Sequence, residues 1–198
     1  MDIMIIVYAV LAYLIGSIPS GLIIGKTFFN TDVRQYGSKN IGATNTYRVI
    51  GLKAALPVFL CDALKGAAGV VLLSSYGPMY MILGGILAMM GHNWSIFLGF
   101  KGGRGVATGL GVLIALSPLV ALIAFLLWGV IVYFTKLVSL GSIIAAALVP
   151  ILMYFTGESY WFVGFGALAA LFVIVRHWDN IKRLLAGNEL KVERIKKD

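Results

Sequence analysis

Long apolar runs, each near the ~20 residues an α-helix needs to cross a bilayer, occupy most of this chain. They extend from Ile3 to Ile24, Ala54 to Ser74, Met79 to Gly99, Val106 to Phe134, Leu140 to Phe155 and Tyr160 to Val175. With 60% hydrophobic residues, 12% charged residues and a mean hydropathy of +0.95, the chain has too little polar surface to dissolve as a globule. The pattern predicts an all-α membrane protein, a polytopic helical bundle forming one domain over residues 1–198. The N-terminus has no basic region and no small-residue cleavage site, and its apolar run begins directly after Asp2, so it reads as a retained first span.

The number of crossings depends on Val106 to Phe134. This run is long for one span and contains Ser117-Pro118, where a proline kinks a helix or starts a new one. Charge favours two crossings. Apart from Lys65, which lies inside a span, the cations fall in four places: Lys26 to Lys53, Lys101 with Arg104, Lys136, and Arg176 to Lys197. If the long run crosses twice, all four lie on one side and the opposite loops carry only Asp2 and Glu158. The positive-inside tendency then predicts seven transmembrane helices, N-terminus outside and C-terminus in the cytoplasm. A five-span variant, with part of residues 106–175 interfacial, is the alternative.

The net charge of +8 is spread over short segments between spans and not gathered on a soluble face, which disfavours nucleic acid and favours lipid headgroups or anionic substrates. Cys61, the single cysteine, sits in an apolar run and has no intrachain partner; core packing is its simplest role. Two histidines in separate regions offer no ligand cluster, so neither a metal nor another cofactor is expected.

Three polar segments stand between the spans. The first, Arg34 to Arg48, combines turn glycines, hydroxyls, amides and cations in a pattern suited to anion binding or acyl transfer. It nearly mimics a nucleotide-binding loop, but Ala43 stands where the phosphate lysine would be and no strand precedes it. Ser38, Asn40 and Asn45 could equally cap turns. The second segment runs from His92-Asn93-Trp94-Ser95 to Lys101-Gly102-Gly103-Arg104-Gly105-Val106-Ala107-Thr108. Its glycines let successive N–H groups point at one anion beside two cations, with a charged membrane flank as the plain alternative. Trp94 reads as an interfacial anchor. In the third, Arg176 to Leu185, His177 and Asn180 share a face if the last helix continues, and a histidine there suits a general base or an oxyanion donor. Asp62 and Lys65, at i and i+3 within a span, are expensive in lipid and should pair or face a polar cavity.

Taken together these segments resemble the bacterial integral membrane family of acyl-phosphate-dependent glycerol-3-phosphate acyltransferases. The likeness rests on Gly16-Ser17-Ile18-Pro19-Ser20-Gly21; on Gly37-Ser38, Asn40, Gly42-Ala43-Thr44-Asn45 and Arg48; on His92-Asn93-Trp94, Lys101-Gly102-Gly103 and Gly105-Val106-Ala107-Thr108; and on Arg176-His177, Asn180-Ile181 and Arg183-Leu184. Two positions depart from the family pattern: Lys39 where glycine is usual, and Arg104 where lysine is usual. The resemblance implies transfer of a fatty acyl group from acyl phosphate to the 1-hydroxyl of glycerol 3-phosphate, giving lysophosphatidic acid and inorganic phosphate. It implies a multi-pass protein of the bacterial inner membrane with its site facing the cytoplasm, its donor supplied by a soluble phosphate acyltransferase. The residues it implies as catalytic are Ser38, His177 and Asn180; as substrate-binding, Asn40, Thr44, Asn45, Arg48, Lys101, Gly102, Gly103, Arg104, Gly105 and Ser142; as supporting, Asp62, Lys65 and Glu189. Thioester-type acyltransferases commonly place aspartate five positions after a histidine, but Phe97 and Lys182 stand there, and the paired aspartates of phosphatidyltransferases are missing. A transporter for organic phosphates is the alternative from another class.

Overall fold

The computed structural model describes residues 2–194; Lys196 and Lys197, counted above among the C-terminal cations, lie outside the described residues. Among the described residues the chain forms ten α-helices: α1 (Ile3–Ser17), α2 (Ser20–Phe29), α3 (Ala43–Val49), α4 (Leu52–Leu72), α5 (Pro78–Asn93), α6 (Val106–Leu116), α7 (Pro118–Thr135), α8 (Val138–Phe155), α9 (Tyr160–Arg176) and α10 (Trp178–Leu185). In packing, α4 lies against α1, α5 and α6, while α8 joins α7 to α9. Small residues let the first group close up: a side-chain carbon at Gly66 would collide with the Thr108 carbonyl, and one at Gly111 with the Ala63 carbonyl, so α4 and α6 meet backbone to backbone. Large apolar side chains such as Leu64, Phe134 and Phe155 remain exposed on the outer surface, as a lipid-facing bundle requires.

The long run from Val106 divides at Ser117: α6 ends at Leu116 and α7 starts on Pro118, whose missing N–H costs nothing at a first helical position. Among the described residues, four helical stretches are long and apolar enough to cross a membrane alone, and six if α1–α2 and α9–α10 each count as one bent span; α6 is shorter. Helix ends collect in two layers. In one, the Asp2 carboxylate accepts from the Tyr76 hydroxyl and Ser117 donates to Glu158. In the other, Arg176 donates to the Gly102 and Gly103 carbonyls, Arg48 to those of Leu190 and Lys191, and the Val192 N–H to Lys136.

The first apolar run bends where the sequence pattern reads as continuous, and the chain bends again just past the last run. The first breaks between α1 and α2 by 46°. The helical ladder stops at Ile18-Pro19, so the last carbonyls of α1 and its cap look elsewhere: Ser17 accepts from Ser95 Oγ at 2.6 Å and Ile18 from Lys65 Nζ at 2.9 Å. The last run turns by 61° at His177. Cys61 is exposed on α4 and takes no part in core packing.

Candidate active site

The first polar segment is organised from within. Asp32 receives the Arg34 N–H and its guanidinium, opening a short 3-10 turn at Val33–Gln35. Asn45, buried at the start of α3, accepts from the Ser38 N–H at 2.8 Å and donates to the Val33, Tyr36 and Asn40 carbonyls. Its amide NH2 is taken up by these loop carbonyls, so Asn45 shapes the segment while also lining the cavity described below. That shaping includes left-handed backbone at Gly37 and Lys39, and it presents Ser38, Asn40 and Thr44 to a cavity.

The glycine-rich segment folds back on His92. The Gly103 N–H donates to the His92 carbonyl at 2.9 Å, while the Gly102 and Gly103 carbonyls accept from Arg176. The expectation that its successive N–H groups face an anion therefore fails at Gly103; that glycine is needed because a side-chain carbon would strike the His92 ring. Lys101 is exposed and lines neither cavity described below. Trp94 packs edge-on against Phe172 and lies 5.8 Å from the Arg176 guanidinium, so it serves the segment's interior contacts. Gly105, with φ of 82°, starts α6, whose first residues Val106 and Ala107 join Arg104 at the cavity wall.

Because α9 ends at Arg176, His177 and Asn180 do not lie on one continuous helix, yet the bend buries both and brings both to the cavity. His177 Nδ1 lies 2.7 Å from the Val173 carbonyl, which can only accept; Nδ1 thus carries the proton, and in the neutral ring Nε2 remains as an acceptor. After α10 the chain reverses at Gly187 and inserts Glu189. This carboxylate, 3% exposed, accepts from Ser139 at 2.9 Å, Asn180 at 2.5 Å and Arg183 at 2.8 Å.

These groups surround a cavity of about 450 Å³. Its polar lining includes Ser38, Asn40, Thr44, Asn45, Arg48, Asp62, His92, Arg104, Ser139, Ser142, His177, Asn180 and Glu189; most of the rest is apolar, with Phe59, Leu113, Phe125, Val149 and Phe165 among its walls. Burial, then repulsion from Arg183, pushes Arg104 down to about 10, with Glu189 acting the other way. Arg48 is lowered by burial, again opposed by Glu189. Both stay cationic at neutral pH, so the wall holds crowded positive charge that an anion would relieve. Deeper in, Asp62 lines the cavity and pairs with Lys65 at 2.7 Å, fulfilling the expected pairing.

Sequence reasoning quoted Arg176 and Arg183 among the motif residues but gave neither them nor Ser139 a role in the site. Ser139 differs from neighbouring serines only by facing Glu189, and Arg176 acts through carbonyls 73 and 74 residues away, which no side-chain pattern records.

Residues 6–187 match the family described as glycerol-3-phosphate acyltransferase. The chain belongs to that family. A glycerol-3-phosphate acyltransferase of Fusobacterium nucleatum is 47% identical over 93% of this chain and 96% of its own. Glycerol-3-phosphate acyltransferase 2 of Moorella thermoacetica is 48% identical over 92% of this chain and 95% of its own. Among solved structures, the glycerol 3-phosphate form of PlsY (YgiH), an integral membrane glycerol 3-phosphate acyltransferase, superposes with a TM-score of 0.89 at 38% identity, covering 94% of both chains. The lysophosphatidic acid form of PlsY gives 0.87 at 37% identity. This family member is thus a multi-pass integral membrane protein.

Proposed function

We propose that this protein acylates the 1-hydroxyl of glycerol 3-phosphate with an acyl phosphate, releasing lysophosphatidic acid and inorganic phosphate. The observation that carries the reading is the composition of the large cavity: arginines and catalytic-type polar groups on one wall, apolar side chains on the rest. Such a space suits a phosphate-bearing amphiphile, each buried methylene contributing roughly 0.8 kcal/mol. The relatives' names support glycerol 3-phosphate as acceptor, and the weakly basic phosphate leaving group explains why no thioester-type motif is needed.

In the step, the hydroxyl oxygen bonds to the acyl carbonyl carbon, the carbon–oxygen bond to phosphate breaks, and the phosphate departs with that electron pair. Arg104 and Arg48 hold phosphate oxygens; Ser38 and Asn180 donate to developing negative charge on the carbonyl oxygen. His177 Nε2 accepts the hydroxyl hydrogen bond, and the hydroxyl proton leaves to that atom or to a substrate phosphate oxygen. Arg48 is already held by the Leu190 and Lys191 carbonyls, so it acts as a fixed charge. We further propose seven crossings with α6 as a short span, the N-terminus outside and the site at the cytoplasmic face of the bacterial inner membrane. The two layers of helix ends and the cations grouped in one of them support this arrangement.

The test is to offer the purified protein glycerol 3-phosphate with acyl phosphate, with acyl thioester, or alone. Lysophosphatidic acid is expected only with acyl phosphate, and its absence there sinks the proposal. His177→Ala should lower kcat by about 10²- to 10⁴-fold, the range for a lost general base.

A further inference from the structure

Arg176 is the last residue of α9 and the chain neighbour of His177, yet it does not line the large cavity; it borders a smaller space of about 280 Å³ beside it. Its guanidinium is turned onto backbone. Nε donates to the Gly103 carbonyl at 3.2 Å, and Nη2 donates to the Gly103 and Gly102 carbonyls at 2.9 and 3.3 Å. The Trp94 ring lies behind the same group, 5.8 Å from its central carbon. The Gly102 carbonyl and the Gly103 N–H belong to one trans peptide and point opposite ways, and that N–H donates to the His92 carbonyl. This peptide is therefore gripped from both sides, by Arg176 and by the end of α5. The next peptide, from Gly103 to Arg104, also has its carbonyl on Arg176, which fixes the plane from which Arg104 starts. Two successive glycines have more backbone freedom than any other pair, so the segment does not keep this shape unaided.

Arg176 thus joins parts of the site that lie 73 residues apart in the chain. Its backbone leads directly into His177, and its side chain holds the peptide that carries Arg104. We propose that Arg176 is a positioning residue, which keeps Arg104 at a set distance from His177 during acyl transfer. The three contacts need a planar fork, and a lysine ammonium on a flexible stem cannot reproduce them. If Arg176 served only to offset the partial negative charge at the C-terminal end of α9, any cation would do. The catalytic consequence rests on the proposed reaction; the grip on the glycine segment does not.

The experiment measures steady-state acyl transfer by wild type, Arg176→Gln, Arg176→Lys, Arg104→Gln and Arg104→Gln/Arg176→Gln, with amide hydrogen exchange over residues 101–105 on the same purified proteins. Arg176→Gln should lower kcat/KM by about 10- to 100-fold, the scale of a catalytic group displaced by an ångström, and Arg176→Lys by nearly as much. In the Arg104→Gln background, Arg176→Gln should cost less than about threefold further, because the group it positions is already gone. The Gly103 amide should exchange at least about tenfold faster in both Arg176 variants. Losses that multiply in the double variant, full activity in Arg176→Lys, or unchanged exchange each overturn the positioning role. Where Arg176→Gln does not fold, Arg176→Lys takes its place in the double variant. If the wild type acylates with no donor, the proposed reaction falls, and the exchange comparison still decides whether Arg176 holds the segment.

Discussion

Replacing Lys65 by methionine tests how the bundle tolerates charge at its centre. The Lys65 ammonium is 2.7 Å from Asp62 Oδ1, with side chains 5% and 3% exposed. Removing it leaves the carboxylate with only the buried His92 ring nearby, its Nδ1 3.7 Å from the same oxygen. Orphaning one half of a buried pair costs about 3–5 kcal/mol. The Ile18 carbonyl also loses its Lys65 bond but keeps the Ser20 N–H at 3.0 Å, so it adds little. For a chain of this size the sum corresponds to a fall in apparent Tm of roughly 10 °C. In Asp62→Leu/Lys65→Met no charge is stranded, and stability should return to near wild type, giving a coupling energy of about 2 kcal/mol or more between the sites. The assay is thermal unfolding in one detergent for the wild type, both single variants and the double variant. A loss below about 1 kcal/mol in Lys65→Met, or a double variant as unstable as the summed singles, would refute the reasoning.

Gly103→Ala should destabilise by about 1–3 kcal/mol through overpacking on the His92 ring, read as a lower apparent Tm together with reduced turnover. Glu189→Ala removes the acceptor shared by Ser139, Asn180 and Arg183; the loss of charge-assisted bonds of ~1.5–3 kcal/mol should lower kcat/KM by about 10- to 100-fold in the acyltransfer assay. The Arg34 guanidinium, with backbone help and the Lys26 charge, holds the Asp32 carboxyl well below its ordinary 3.8. A depressed folded-state value means stability that is complete above about 3.8 and fades as pH falls below it. Because Arg34 is 43% exposed, Asp32→Asn should cost only about 0.5–1 kcal/mol at neutral pH, and that difference should shrink in unfolding scans taken below pH 3.8.

The hydropathy of the runs made most helices legible in the sequence, and Ser117-Pro118 marked the division of the longest because both sides are apolar enough to stand as helices. Pro19 was just as visible, but residues 3–24 read as one span because nothing local shows that Ser95 and Lys65 will receive the freed carbonyls. The same limit applies in the site. Residue types drew attention to Arg48, Arg104, His177 and Asn180, all of which reach the large cavity. Arg48 and Arg176, however, are oriented by backbone carbonyls far along the chain, and carbonyls are identical at every residue. Asn45 was legible both as a turn-organising amide and as a substrate contact, since the two have the same composition, and the structure shows the first in its bonds to the loop backbone.

The gap between α1 and α2 also bears on how the protein is made. The Ser17 carbonyl finds its partner, Ser95, 78 residues later, while the Ile18 carbonyl has the nearby Ser20 N–H and gains Lys65 only 47 residues on. An unpaired carbonyl is costly in hydrocarbon, so the first segment cannot settle into its bent form beside lipid while it is the only part of the chain yet inserted. Either it enters straight, or the insertion machinery shelters the bend until α4 and the segment holding Ser95 arrive. Biogenesis of this enzyme is thereby tied to an order: its earliest helix is among the last to be finished.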